Sequence, residues 1–326
     1  MVRALAVFIS TLLWAQQNPS GAGSSAVNSA EGSAVAPIDP TAVPEPEVEW
    51  MCPMPQDSDI RMKGPGKCPR CGMTLVPGLP EPEEYPVHIT SKPKALKAGQ
   101  LTQLTFNIED PKTSKTVKDF VLTHEKLFHF FLVSQDLKFF KHVHPEIQPD
   151  AKFLLDVTFP KPGLYRLLSD FYPKGGTPQL VASTMMVPGA GFKLEPAKLS
   201  PDLAPKRADG SKDGKDVPGN LDIEVSTDPP APIVGEKTLM FLKVKPAKGM
   251  ELYLGAWAHM LAASSDLVDL IHEHPFLVTD PVDSDYKQLQ FNLIFPRAGV
   301  YRVWVQMQKD GVVNTVAFNV PVTELK

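Results

Sequence analysis

The stretch "TFPKPGLYRLL" (residues 158–168) returns as "IFPRAGVYRVW" (residues 294–304), and this pair decides the reading of the fold. Pro160, Gly163, Tyr165 and Arg166 of the first copy match Pro296, Gly299, Tyr301 and Arg302 of the second. In each, Pro and Gly punctuate a turn, and aliphatic and aromatic residues follow, as in a core strand entered from a tight turn. The similarity extends upstream. "HFFLVSQDLKFFKHVHP" (residues 129–145) and "HMLAASSDLVDLIHEHP" (residues 259–275) keep His, Ser, Asp, Leu, His, His and Pro in register while the residues between them diverge. The chain contains one β unit twice.

Further outward, short runs such as "QLTQLTFNIED", "KFLLDVTFP" and "QLVASTMMV" in the first unit, and "KTLMFLKVKP", "LQFNLIFP" and "TVAFNVPV" in the second, are separated by turn residues. That spacing predicts antiparallel sandwiches over residues 85–188 and 221–326. A Tyr so near a strand start resembles the tyrosine corner of immunoglobulin-like domains, a structural device. The expected fold class is all-β: two immunoglobulin-like antiparallel β-sandwich repeats preceded by a small Cys-rich metal-binding module. Residues 189–220, polar and proline-rich, read as a linker between the repeats.

The 326 residues suffice for two such cores, and 34 prolines, about twice the usual share, suit edge-rich β structure with long connections. A net charge of −4 gives no footprint for nucleic acid or an anionic membrane. Arg3 followed by the apolar run "ALAVFISTLLWA" reads as a signal peptide over residues 1–15, too short to span a bilayer and with no nearby cysteine for lipidation. The expectation is export to the periplasm or outside the cell, with no membrane span after signal removal. Residues 16–47, rich in Gly, Ser, Ala and Pro, read as a disordered spacer.

His142 and His144 are two apart, as are His272 and His274, so on a strand each pair presents two imidazoles on one face. An intervening turn lets His129 and His259 fold back beside their pairs on a neighbouring strand. Three neutral imidazoles make a site with an open position, fit for Cu(II) or Zn(II). The competing reading is that these histidines brace strand ends and turns. Asp136 and Asp266 fall where a turn wants a side-chain acceptor. His124, matched by Leu254 in the second unit, reads as a loop contact or a fourth ligand of the first unit, and His88 as a strand-surface residue.

All three cysteines lie in "WMCPMPQDSDIRMKGPGKCPRCGMTLVPG" (residues 50–78). Cys68 and Cys71 form a Cys-x-x-Cys turn, Cys52 offers a third sulfur, and Met54, Met62 or Met73 a thioether. A Cys68–Cys71 disulfide with a spare Cys52 is the alternative. Thiolate with thioether suits Cu(I) or Ag(I), with Zn(II) also open. The segment resembles the heavy-metal-binding domain found beside copper/silver efflux adaptors and copper-transporting ATPases, carried by Cys52-Pro53-Met54, by Pro65 to Met73 and by the closing Leu75-Val76-Pro77. The family's usual His-Pro after Cys-Pro-Met is Pro55-Gln56 here, which removes a nitrogen ligand. The β units also resemble bacterial secreted proteins that join such a module to tandem β domains.

The metal-ligand candidates are therefore Cys52, Met54, Cys68, Cys71 and Met73 in a module over residues 48–80, and His129, His142, His144, His259, His272 and His274 in the repeats. The expected role is heavy-metal binding, copper or silver, for sequestration, sensing or handover, with metal ions and a metal-efflux or metallochaperone protein as partners. No catalytic constellation stands out, so the chain does not read as an enzyme. Two alternatives stand beside it: a β-sandwich adhesion protein with structural histidines and an exposed aromatic patch near Trp257, and a copper-dependent oxidoreductase.

Overall fold

A computed structural model describes residues 49–52, 60–78, 83–190, 202–212 and 215–325. The signal peptide and spacer expected over residues 1–47, and Met54, lie outside the described residues. The described residues belong to one unit spanning Asp39–Lys326, contain strands and no helix, and hence no helix long and apolar enough to cross a membrane.

The N-terminal module is a small sheet of β1 (Glu49–Met51), β2 (Arg61–Met62) and β3 (Val76–Gly78), ordered β2-β1-β3. The first repeat packs two four-stranded antiparallel sheets. One holds β4 (Val87–Lys92), β5 (Leu101–Ile108), β8 (Glu146–Ile147) and β9 (Phe153–Thr158), ordered β4-β5-β9-β8. The other holds β6 (Phe128–Ser134), β7 (Phe140–Val143), β10 (Gly163–Phe171) and β11 (Gln179–Val187), ordered β11-β10-β6-β7. Between them, two segments hold strands: β12 (Asp202–Lys212) and β13 (Lys215–Pro218). The second repeat repeats the plan. β14 (Asp222–Asp228), β15 (Lys237–Lys245), β19 (Leu277–Thr279) and β20 (Lys287–Ile294) are ordered β14-β15-β20-β19. The facing sheet contains β17 (His259–Ser264), β18 (Leu270–Glu273), β21 (Gly299–Lys309) and β22 (Val312–Val322), with β16 (Met250–Glu251) beside β21.

Period-two spacing accounts for most of these strands. In β5, Thr102, Leu104, Phe106 and Ile108 are buried and the residues between them are less so, as expected of a strand with one face on a core. Phe106 meets Phe128 and Phe130 edge-on at ring-centroid distances of 5.2 and 4.7 Å. The tyrosine corner is present in both copies: Tyr165 Oη donates to Lys161 O at 2.8 Å, and Tyr301 Oη to Arg297 O at 3.1 Å.

β6 and β17 break the alternation, because every residue in them is buried. Phe128, Phe130 and Leu132 enter the first core; Met260 and Ala262 enter the second. The opposite faces, with Phe131 and Val133 on β6 and Leu261 and Ala263 on β17, meet in a third apolar cluster with Leu137, Leu168, Leu267 and Trp304. The two repeats thus pack sheet against sheet. Phe140 stacks on Trp304 at 5.0 Å with 7° between the ring planes. A continuous apolar run marks a strand covered on both faces.

The polar segment expected as a linker over residues 189–220 contains β12 and β13, which extend the second repeat's sheet to β13-β12-β22-β21-β17-β18. Residues 191–201 and 213–214 of it lie outside the described residues. The physical reason is edge protection: without β12, the long β22 would present unpaired N–H and C=O groups. Buried Asn314 fastens the join, its Oδ1 accepting from Asn220 N and its Nδ2 donating to Asn220 Oδ1, both at 2.8 Å.

Candidate metal centres

The buried faces of β6 and β17 bring the histidines together. His129 lies on β6 two residues before Phe131, and the β6–β7 register sets Phe131 opposite His142. In the second repeat the register sets Leu261 opposite His272, with His259 two residues before Leu261. His144 and His274 follow directly after their strands. One nitrogen from each of His129, His142 and His144 lies within 4.8 Å of the others, and the same holds for His259, His272 and His274.

The hydrogen bonds made by the far side of each ring fix what faces inward. His129 Nε2 is 3.0 Å from Thr123 O and His259 Nε2 is 2.8 Å from Tyr253 O. A carbonyl oxygen only accepts, so each Nε2 carries the proton and each Nδ1 is bare. Both carbonyls belong to matched turns, Thr123–Lys126 and Tyr253–Ala256, each closed by two backbone hydrogen bonds. His142 Nδ1 donates to Gln306 Oε1 at 3.0 Å, and that amide is oriented by its own Nε2 donating to Thr315 Oγ1. His272 Nδ1 donates to Asp170 Oδ2 at 2.5 Å. His142 therefore turns a bare Nε2 inward, and the Nε2 of His272 is buried with no hydrogen-bond partner among the described residues.

In the first repeat the bare His129 Nδ1 and His142 Nε2 stand 3.1 Å apart. Two lone pairs at that distance repel unless a cation lies between them. Nitrogens sharing a tetrahedral ion at about 2.0–2.1 Å are separated by about 3.4 Å, so the spacing fits a common ion. In the second repeat His274 Nε2 lies 2.9 Å from His259 Nδ1. Buried His144 Nε2 and His124 Nε2 likewise lack partners among the described residues.

The two clusters are neighbours across the repeat interface. His142 and His259 rings are 5.3 Å apart, His129 and His259 5.8 Å, and His129 and His272 6.1 Å. His124, in the left-handed region at φ 46, leans out of the first repeat and lies 3.8 Å from His274 in the second. Seven of the eight histidines thus line one buried chamber, and His88 sits outside it, paired with Glu109 at 3.2 Å. Burial disfavours the imidazolium form of six of them. It lowers His129 and His124 to about 4 and His144 to about 3, and pushes His142, His259 and His274 well below the ordinary value.

The sulfur cluster is separate and local. Cys68 and Cys71 sit in a turn closed by Gly72 N to Cys68 O at 2.8 Å and Cys68 N to Met73 O at 2.7 Å, with Gly72 at φ 77. Cys52, at the end of β1, brings its Sγ to 3.5 Å from that of Cys71, and the three sulfurs lie within 4.8 Å of one another. No disulfide joins them. Sulfurs about 2.3 Å from one ion are separated by about 3.8 Å, so this donor set also fits. Burial raises the Cys68 thiol, but backbone N–H groups of Cys71 and Arg70 and the other two thiols outweigh it and hold the group below its ordinary value. Cys52 and Cys68 are buried and Cys71 is exposed; Met62 and Met73 are both nearly half exposed at the surface.

Comparison with known proteins matches both parts of the chain to family models. Residues 81–189 and 216–324 each match the domain of unknown function DUF8832. The chain belongs to the DUF8832 family. Ahead of its DUF8832 repeats, residues 49–77 match the heavy metal binding domain. No curated protein matches the chain. Among solved structures, red sea bream transglutaminase is similar at 9% identity over 74% of this chain and 31% of its own, with a TM-score of 0.22. A tandem of titin immunoglobulin domains is similar at 12% identity over 70% of this chain and 91% of its own, TM-score 0.18. The DUF8832 chain spans less than a third of the transglutaminase's length.

In this DUF8832 chain the nine Cys and His candidates fall into three groups of three, while Met73 is directed outward and Met54 is outside the described residues. Asp136 and Asp266 serve their turns: each accepts from Ser134 or Ser264 Oγ at 2.6 Å, and Leu137 and Leu267 follow at φ 56 and 59. Trp257 packs against the second core with Lys287 Nζ 4.2 Å above its ring. Sequence reading missed Asp170 and Gln306, and treated His124 as a residue of its own repeat. The unalternating runs of β6 and β17 were the available signal, since strands buried on both faces must have a covering partner.

Proposed function

We propose that this protein is an exported heavy-metal carrier, with copper or silver as its cargo, acting in sequestration, sensing or handover rather than in catalysis. The observation that carries the reading is the apposition of His129 Nδ1 and His142 Nε2, two bare nitrogens 3.1 Å apart in a site where burial disfavours a proton. A metal ion relieves that repulsion without protonating either ring. The all-imidazole donor sets suit Cu(II) or Zn(II), and the three-sulfur set suits Cu(I) or Ag(I). The match to a heavy metal binding domain supports metal as the ligand of the front module. The expected export signal at residues 1–15 supports delivery to an oxidising compartment where both copper states occur.

The test is a copper titration of the folded full chain beside a variant with His142, His144, His272 and His274 each changed to Asn, the Cu(II) count read by electron paramagnetic resonance. The variant should lose two Cu(II) ions and keep Cu(I) at the sulfur cluster. An unchanged Cu(II) count overturns the histidine reading, and metal analysis of protein purified from its own compartment identifies the cargo.

A further inference from the structure

The two histidine sites are built from equivalent residues yet are not equivalent, because each borrows its outer support from the opposite repeat. Asp170 on β10 is the cross-strand neighbour of His129, but its carboxylate accepts from His272 of the second repeat at 2.5 Å. Gln306 holds the matching place on β21 as the cross-strand neighbour of His259, and its amide oxygen accepts from His142 of the first repeat at 3.0 Å. The exchange is reciprocal in position and unequal in chemistry. One ligand is backed by a carboxylate and its counterpart by a neutral amide. A second inequality also separates the two sites: His124 of the first repeat lies against His274, whereas the matching residue of the second repeat is Leu254.

A carboxylate accepting the Nδ1–H of an imidazole raises the basicity of its Nε2 and holds the ring in one orientation, and loss of such a partner typically weakens metal binding about 10- to 100-fold. An amide oxygen orients the ring equally well but withholds the charge. We propose that the His259/His272/His274 site is the tight divalent-metal site and the His129/His142/His144 site the weak, exchangeable one, with Asp170 and Gln306 as the positioning residues that set the order of filling. The proposal rests on the reading that both triads hold metal. It gives the chain one retained ion beside one ready to leave, the arrangement a handover protein needs.

The test uses Zn(II), which is redox-silent, titrated against a competing chelator into the full chain with Cys52, Cys68 and Cys71 changed to Ser. The parent should bind two ions with affinities separated about 10- to 100-fold. Asp170→Asn should weaken the tight step until the two coincide, and Gln306→Glu should tighten the weak step while leaving the tight one in place. If Asp170→Asn fails to fold, Gln306→Glu decides alone. Two ions of equal affinity in the parent, or a weak step unmoved by Gln306→Glu, overturns the inference and leaves the metal reading standing. Fewer than two zinc ions overturns the metal reading itself.

Discussion

In the sulfur module the ligands are the core, whereas in the histidine chamber they sit between two cores that owe nothing to them. Among the described residues, Cys52, Cys68 and Leu75, with Trp50 and Ile60 against them, make up the apolar cluster of the module. The sandwiches have clusters rich in Phe, Leu and Val, and their histidines hang on strands already fixed by Phe128, Phe130 and Met260. A site that supplies its own core depends on metal for its fold. A site mounted on rigid strands is preorganised and fills without folding.

The largest effect that could break this contrast is metal removal. With chelator present, amide dispersion of residues 49–78 in a two-dimensional NMR spectrum should collapse while the signals of both repeats stay. The energy at stake is of the order of 10–16 kcal/mol by analogy with small metal-folded units. A module that stays dispersed without metal refutes the account of its core.

Next comes acid. In the metal-free repeats His129 and His124 hold a folded value of about 4 and His144 of about 3, against an ordinary 6.5. Below 6.5 the unfolded chain takes up protons that the folded chamber refuses, so stability should fall from about pH 6.5 towards pH 4. Denaturation midpoints followed by tryptophan fluorescence check this. Metal-loaded protein should keep its midpoint further into acid before protons displace the ion, and a flat profile for the metal-free form counts against a buried neutral chamber.

A smaller effect tests the interface. Trp304→Ala removes the ring stacked on Phe140 and should cost about 3–5 kcal/mol. Because His142 is supported from the second repeat and His272 from the first, the same variant should weaken Cu(II) binding at both sites. Losing stability with unaltered metal affinity would show that the repeats do not depend on one another for their sites.

Much of this was legible beforehand. The repeat announced itself through Pro160, Gly163 and Tyr165 and their copies, since turn and corner chemistry is local and survives divergence. Cys68 and Cys71 could be paired because one turn holds both. His129 could be set beside His142 because antiparallel strands joined by the Ser134–Asp136 turn leave few registers. The polar segment carrying β12 was read as a linker because its composition says nothing of the open edge of β22 that it covers.

The sequence by itself determined the strands of the two repeats other than β12 and β13, the sulfur trio and the membership of each histidine triad, all of them consequences of short-range periodicity and turn geometry. Only the tertiary structure decided that the triads meet in one cluster, that His124 crosses to the other repeat, and that Asp170 and Gln306 each hold the neighbour's histidine. Those contacts join residues more than a hundred positions apart, and their existence depends on which faces of two finished sandwiches bury Phe131, Leu261 and Trp304 together. No local pattern encodes a choice made by the packing of completed domains.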